Sequence, residues 1–190
     1  MKPRIIFASF VLSVGFSMCA TATSIGAKHL NIRQILDKPA ACLPEDAGES
    51  IELNTAFVTG DSPEVPRQWA IQLIPGSKPL VLHSGECIAF GQSIDGYRQL
   101  GEFHALEEGQ TYDFGLRRND RLNDWVSKVY MGLFCVQRAP DGHLTYLPYV
   151  YHSNGTITYP PCGHYVGLPP APDGISPPRP ASSYPINAKP

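Results

Sequence analysis

Hydrophobic and polar residues alternate with a period of two along much of the chain after residue 50. Ile51, Leu53 and Phe57 lie on one face of the first such segment. This alternation is typical of a β-strand that buries one face. Together with short runs between turn signals, and with a run over 126–136 that is apolar on both faces as in a central strand, this alternation predicts seven or eight short strands, in the segments 51–57, 69–73, 80–83, 87–90, 112–116, 126–136, 143–151 and 156–159. Pro140-Asp141-Gly142 and Asn154-Gly155 predict hairpin turns between the last of them.

One segment narrows the fold class. Residues 106–112 end at Tyr112 and contain Gly109, a pattern typical of a tyrosine corner, in which the hydroxyl bonds to backbone a few residues upstream. The alternative is that Tyr112 merely begins a strand. Trp69 is placed like the core tryptophan on the third strand of an immunoglobulin-like domain. Because no amphipathic helix is predicted, we expect an all-β protein, an immunoglobulin-like or fibronectin-like antiparallel sandwich over residues 51–162.

The segments on either side of this domain lack such alternation. Residues 23–50 are polar, and we expect an irregular lead-in with at most one short helix near residues 30–36. From Pro160 to the end, ten of 31 residues are proline. We expect residues 163–190 to form an extended or disordered tail, since this composition does not support a packed core.

The first 22 residues predict an exported protein. Lys2 and Arg4 precede an apolar run over residues 5–16, and Ala20-Thr21-Ala22 supplies small residues for a signal peptidase. The run is shorter than the roughly 20 residues that cross a membrane. A second interpretation is that Cys19 is lipidated and anchors the mature chain, which would be its only contact with a membrane. We expect a periplasmic location.

The remaining cysteines predict disulfides. Five cysteines are present, and four remain if Cys19 leaves with the signal peptide. In an oxidising compartment these four form two bridges, with three connectivities open. We favour Cys42 with Cys87 and Cys135 with Cys162.

Composition and motifs argue against several function classes. The net charge is −2, and no segment has the density of lysine and arginine that nucleic-acid binding requires. Gly60-Asp61-Ser62 resembles a serine-nucleophile motif, but Pro63 follows it and no Asp-x-x-His tetrapeptide exists. His143, His152, Cys162 and His164 do not have the spacing of a zinc site. We therefore predict no enzyme, no cofactor and no metal.

One connection between predicted strands stands out as a candidate interface. It combines both charges with an aromatic residue, and arginine and tryptophan are frequent among residues that dominate binding energy. An ordinary polar loop is the alternative. The residues predicted to bind a partner are Arg117, Arg118, Asp120, Arg121, Asp124 and Trp125. A second cluster, formed by Tyr146, Tyr149, Tyr151 and Tyr159, predicts either an exposed aromatic face or cross-strand pairs that only stabilise a sheet.

Four segments carry a resemblance to a known family. They are Gly85-Glu86-Cys87-Ile88-Ala89-Phe90-Gly91, Tyr112-Asp113-Phe114, residues 133–136 and Asp141-Gly142-His143-Leu144. Together they resemble the type VI secretion immunity periplasmic lipoproteins of Gram-negative bacteria. The resemblance covers about residues 50–150. It implies a periplasmic β-domain that binds an incoming antibacterial toxin and neutralises it by occluding its active cleft.

A competing class is a cell-envelope accessory or adhesion module of a secretion or pilus system. In that case the proline-rich tail would contact a neighbouring protein or the cell wall. Deletion of residues 165–190 separates the two classes, because an inhibitor that acts through sandwich loops should retain its function without the tail.

Overall fold

The computed structural model describes residues 27–61, 65–119 and 129–177, and these contain strands and no helix. None of the described residues therefore forms a helix long enough to cross a membrane. In chain order the strands are β1 (Lys28–His29), β2 (Asn31–Ile35), β3 (Lys38–Cys42), β4 (Ile51–Gly60), β5 (Arg67–Leu73), β6 (Val81–Leu82), β7 (Cys87–Ala89), β8 (Tyr97–Gln99), β9 (Thr111–Arg118), β10 (Val129–Arg138), β11 (Leu144–Pro148), β12 (Val150–Tyr151) and β13 (Ile157–Thr158).

The larger of the sheets has eight strands. Its main path runs β1-β10-β9-β4-β5-β8, with β11 also paired to β10 and β6 to β4. Every pairing is antiparallel except that of β1 with β10. β4 and β9 lie at the centre, where alternate side chains such as Leu53, Val58, Phe114 and Leu116 are fully buried. The prediction of an all-β protein is therefore confirmed.

A smaller sheet packs on the larger one. Its order is β2-β3-β7, all antiparallel. Ile32, Leu43 and Ile88 belong to the same buried cluster as Trp69 and Phe134 of the larger sheet. The core therefore lies between two layers of strands, because each sheet removes one apolar face from water by covering the other.

The expectation of an irregular lead-in with a short helix near residues 30–36 is wrong. This segment instead forms β1 and β2, and β3 follows after a two-residue turn at Leu36 and Asp37. The alternation was hard to read because β2 buries only Ile32, while its other side chains are exposed. Pairing with β3 and packing against the core determine the strand.

The tyrosine corner forms as predicted. The backbone N–H of Glu107 donates to the Tyr112 hydroxyl at 2.9 Å, and Gly109 adopts φ 79° between them. Glycine suits this left-handed conformation because it has no Cβ. Trp69 is also buried, with its ring edge-on to Phe90 and Phe114 at 6.0 Å between centroids. These contacts fix the position of the start of β9 relative to the core.

Both favoured disulfides are present, Cys42 with Cys87 and Cys135 with Cys162. The first joins neighbouring strands β3 and β7 at a paired position. The second ties β10 to the segment that follows β13. Two bridges of this kind are typical of an oxidising, exported environment.

Residues 163–177 of the proline-rich segment, which we expected to be extended or disordered, pack against the domain. Residues 163–177 lie against a second apolar cluster that contains Cys135, Tyr149, Ile157 and Tyr159. The Tyr159 hydroxyl donates to the carbonyl of Leu168 at 2.7 Å, and Ala171 is buried. Tertiary contacts and the bridge at Cys162 supply the order that local periodicity did not indicate. Residues 178–190 lie outside the described residues.

Candidate functional site

A polar groove of about 960 Å³ opens where β4 begins and β5 and β9 end. Charged Glu52 and Arg118 line it, together with the loop that follows β5. The backbone N–H of Asn119 donates to the carbonyl of Glu52 at 2.7 Å, which fixes the chain as it leaves β9. The lining residues are Ser50, Glu52, Asn54, Gln72, Leu73, Pro75, Gly76, Ser77, Pro79, Arg118 and Asn119.

The groove adjoins the connection that the sequence singled out. Arg117 and Arg118 are the last two residues of β9. The Arg117 side chain is exposed, whereas Arg118 is only partly exposed. The other four predicted binding residues, Asp120, Arg121, Asp124 and Trp125, lie outside the described residues. The structure thus places the start of the predicted interface beside the groove.

Arg118 is held by an ion-pair network within the domain. Its Nη1 lies 3.1 Å from Glu49 Oε2, and the Tyr130 hydroxyl donates to Glu49 Oε1 at 2.8 Å. The Lys28 ammonium also pairs with Glu49. The hydrogen bond from Lys28, followed by that from Tyr130, lowers the pKa of Glu49 to about 2. Arg118 therefore contributes to the frame of the site, and Arg117 is the better placed of the two to meet a partner.

A second cluster of polar groups lies near the other end of β4 and β9. Asp61 Oδ2 is 2.6 Å from His164 Nε2, and Thr111 Oγ1 is 3.3 Å from His164 Nδ1. The backbone N–H of His164 donates to the Tyr149 hydroxyl at 2.9 Å. The sequence places Asp61 in the rejected Gly60-Asp61-Ser62 motif and His164 among the rejected zinc ligands, and its local pattern does not indicate that the two residues pair.

Burial changes the acidity of groups beside this cluster. It raises the pKa of Asp113 to about 6, and the neighbouring carboxylate of Asp61 adds to the shift. Burial also raises the pKa of Tyr151 to about 12, with a smaller contribution from Asp113. The charged form of Asp113 is therefore disfavoured in the folded protein, since the carboxylate is poorly solvated there.

The order Asp61, His164, Thr111 is that of a catalytic triad, but the geometry does not favour catalysis. Thr111 is only 2% exposed, and its hydroxyl also hydrogen-bonds the Tyr149 hydroxyl at 3.3 Å. A nucleophile must reach a substrate carbonyl, and this hydroxyl is enclosed. The cluster instead fastens residues 160–177 to the end of the larger sheet.

Two of the tyrosines noted in the sequence belong to the second apolar cluster. Tyr149 and Tyr159 are buried and meet edge to face at 5.6 Å, so they do not form an exposed aromatic face. His152 Nε2 lies 2.8 Å from Thr158 Oγ1, and Cys162 is in a disulfide. Among the described residues, no group of three or more histidine, cysteine and acidic side chains could hold a metal ion.

No family model matches this chain, and no similar protein was found among curated sequences or solved structures. Function must therefore be inferred from the residues themselves.

Proposed function

We propose that this protein is an exported periplasmic binding protein that neutralises a secreted antibacterial toxin by covering its active cleft. The observation that carries the proposal is the groove at the end of β9, beside the connection that begins at Arg117. It lies on a two-sheet frame that is cross-linked by two disulfides. A rigid frame favours occlusion, because little conformational entropy is lost on binding.

The lining of the groove supports a protein partner over a small molecule. Small-molecule pockets are mostly apolar, often with aromatic walls. The described residues that line this groove include no aromatic side chain, and they carry hydroxyl, amide and charged groups instead. Such a surface suits the polar rim of a protein interface, where complementary charges steer association.

The immunoglobulin-like form of the fold belongs to the same proposal. The corner at Tyr112 and the buried Trp69 between the two layers support it. In that architecture loops cluster at the ends of the strands, and the 117–125 connection is one of these. Arg117, Arg121 and Trp125 would then be the main contacts, with Asp120 and Asp124 providing steering charge.

Capture of the tagged mature protein from its own cell envelope, with mass spectrometry of the co-eluting chains and of the N-terminal peptide, tests the proposal. Recovery of one secreted toxin, and inhibition of its activity by the pure protein, is the expected result. Recovery of envelope-assembly or cell-wall components would instead favour the accessory module. An acylated Cys19 in the N-terminal peptide would establish the lipid anchor.

Substitutions in the connection should weaken binding to the captured toxin. We expect Arg121→Ala combined with Trp125→Ala to reduce affinity about 100-fold or more, because such residues dominate interface energies. Arg117→Ala should cost less, about three- to tenfold, as expected for a rim charge. The measurement is calorimetric titration.

Arg67→Ala is a matched control, because Arg67 is exposed at the far end of β5, and it should leave affinity unchanged. If the double variant folds normally and binds as tightly as the wild type, the connection is not the interface.

A further inference from the structure

A serine and a histidine meet at the edge of the polar groove. Ser50 Oγ lies 2.8 Å from His83 Nδ1, Ser50 lines the groove, and both residues are exposed. With the ring proton on Nε2, Nδ1 accepts a hydrogen bond from the hydroxyl. A hydroxyl and an imidazole nitrogen at this distance have the geometry of a nucleophile and its general base. Unlike the enclosed Thr111, Ser50 lies where a substrate in the groove could meet it.

Strand register brings the two residues together. β4 and β6 pair antiparallel with Ile51 opposite Leu82, so one step further along the same register places Ser50 opposite His83. The two residues are 33 positions apart in the chain. No short sequence motif contains both, which is why the prediction that the protein is not an enzyme did not consider this pair.

The backbone on both sides of Ser50 is held in place. The preceding residue, Glu49, is the centre of the ion-pair network that joins β1, β9 and β10. The following residue, Ile51, is fully buried in the core. Ser50 therefore projects from a fixed position at the start of β4.

The backbone of His83 is held by a closed turn. Its N–H donates to Glu86 Oε2 at 2.8 Å, and the Glu86 N–H donates back to the His83 carbonyl at 3.0 Å. Gly85 adopts φ 81° within this turn, and its N–H donates to the carbonyl of Leu43 at 3.0 Å. These bonds join the turn to the end of β3. Both partners are thus positioned before any ligand arrives, as an efficient nucleophile and base require.

The groove supplies further groups that acyl transfer needs. Asn54, Arg118 and Asn119 line it, and their side chains carry N–H donors of the kind that stabilise the negative oxygen of a tetrahedral intermediate. Hydroxyl, amide and charged groups offer little apolar surface to a long acyl chain. The lining therefore favours an ester with a short acyl group.

We propose that Ser50 is a nucleophile, activated by His83, that hydrolyses short-chain carboxylic esters bound in the groove. His83 Nδ1 accepts the hydroxyl proton while Ser50 Oγ attacks the ester carbonyl carbon. Collapse of the tetrahedral intermediate breaks the bond to the alcohol, which leaves with the proton from His83. Water then attacks the acyl-serine and gives a proton to His83. The carboxylic acid departs, and the proton returns to Ser50 Oγ.

This activity goes beyond the proposed binding of a toxin and does not depend on it. Hydrolysis is measured with the pure mature protein and a small ester, without any partner. Absence of hydrolysis would leave the toxin-binding proposal standing, and failure to capture a toxin would leave the present proposal standing.

Hydrolysis of 4-nitrophenyl acetate by the mature protein, followed by release of nitrophenol, tests the proposal. We expect a rate above that of an equal concentration of free imidazole. Mass spectrometry of protein quenched in acid should find one acetyl group, on the peptide that contains Ser50. 4-Nitrophenyl octanoate should react about tenfold more slowly, because a polar groove gains little from a long chain.

Two variants assign the roles. Ser50→Ala and His83→Ala should each lower kcat/KM about 100-fold or more, the size expected when a nucleophile or a general base is lost. Both positions are exposed, so the thermal midpoints should stay close to that of the wild type. Ser84→Ala and His143→Ala are matched controls, because these residues are also exposed, and they should keep the wild-type rate.

Several results would overturn the proposal. They are a wild-type rate no higher than that of imidazole, acetyl groups only on residues other than Ser50, and a folded Ser50→Ala or His83→Ala variant that retains the wild-type rate. Equal losses in the two control variants would show that hydrolysis comes from nonspecific surface groups, and would overturn it as well.

Discussion

Replacement of both Cys42 and Cys87 by alanine should lower the free energy of unfolding by about 4 kcal/mol. The bridge closes a loop with a sequence separation of 45 residues, and loop-closure entropy predicts a cost of this size when the cross-link is lost. This bridge ties β3 to β7 in the smaller sheet, which covers the core. Many small domains have only 5–15 kcal/mol of stability, so the loss would be a large fraction. Urea denaturation under oxidising conditions measures it.

The second bridge provides the comparison. Cys135 and Cys162 are separated by 27 residues, so the same reasoning gives about 3.5 kcal/mol. That bridge holds the segment after β13, and its loss should loosen residues 160–177 before the sheets separate. Hydrogen exchange should show early loss of protection there. If removal of the Cys42–Cys87 bridge changes the unfolding midpoint by less than the removal of Cys135–Cys162, the smaller sheet does not depend on its cross-link.

Asp113→Asn should stabilise the protein near neutral pH. The pKa of Asp113 rises from 3.8 to about 6 on folding, because of burial and the nearby Asp61. The folded state therefore holds this proton more tightly than the unfolded state does. The stabilisation from protonation is complete below about pH 4 and is lost as the pH rises through about 6. Asparagine removes the charge that folding disfavours, so the gain appears at pH 7 and above.

The expected gain is about 2 kcal/mol at pH 7.5. A shift of one pKa unit corresponds to about 1.4 kcal/mol, and we reduce the full value because the side chain is partly exposed and solvent screens it. Urea denaturation at intervals between pH 4 and pH 8 measures the profile. At pH 4 the variant and the wild type should be about equally stable.

Asp173→Asn is the matched control for this experiment, because Asp173 is exposed on the packed segment. It should follow the wild-type profile. If Asp113→Asn destabilises the protein at pH 7.5, Asp113 makes a favourable contact as a carboxylate and the burial argument is wrong. The groups that face Asp113 include Asp61 and Tyr151, so neither should be changed in the same variant.

Alternation, apolar runs and turn signals predicted seven or eight strands in eight segments, and a described strand lies in each segment. Alternation indicates a half-buried strand because successive side chains point to opposite faces, so every second residue is buried and apolar. β8 was missed because it is short and pairs only with β5, and its side chains are mostly exposed. β2 was missed for the same reason, since Ile32 is its only buried residue and a single apolar position shows no alternation.

Part of the candidate site could also be predicted from the sequence, and part of it could not. Arg117 and Arg118 were predicted to contact a partner from local composition alone, because residues that bind partners concentrate in loops at strand ends. The groove beside them was not predictable, because its walls come from β4, β5 and β9 and from the loop after β5. Glu49 was overlooked as well, since its importance arises from Lys28, Arg118 and Tyr130, which only the sheet brings together.

The sequence by itself determined the all-β class, the presence of two disulfides and the corner at Tyr112, because each depends on local spacing or on the chemistry of cysteine, whereas the structure decided among the three possible pairings of the cysteines. Only the tertiary structure decided that residues 28–42 complete the core and that Asp61 pairs with His164. These features arise from pairing between distant segments, and the free energy of such pairing comes from burial that no local pattern records.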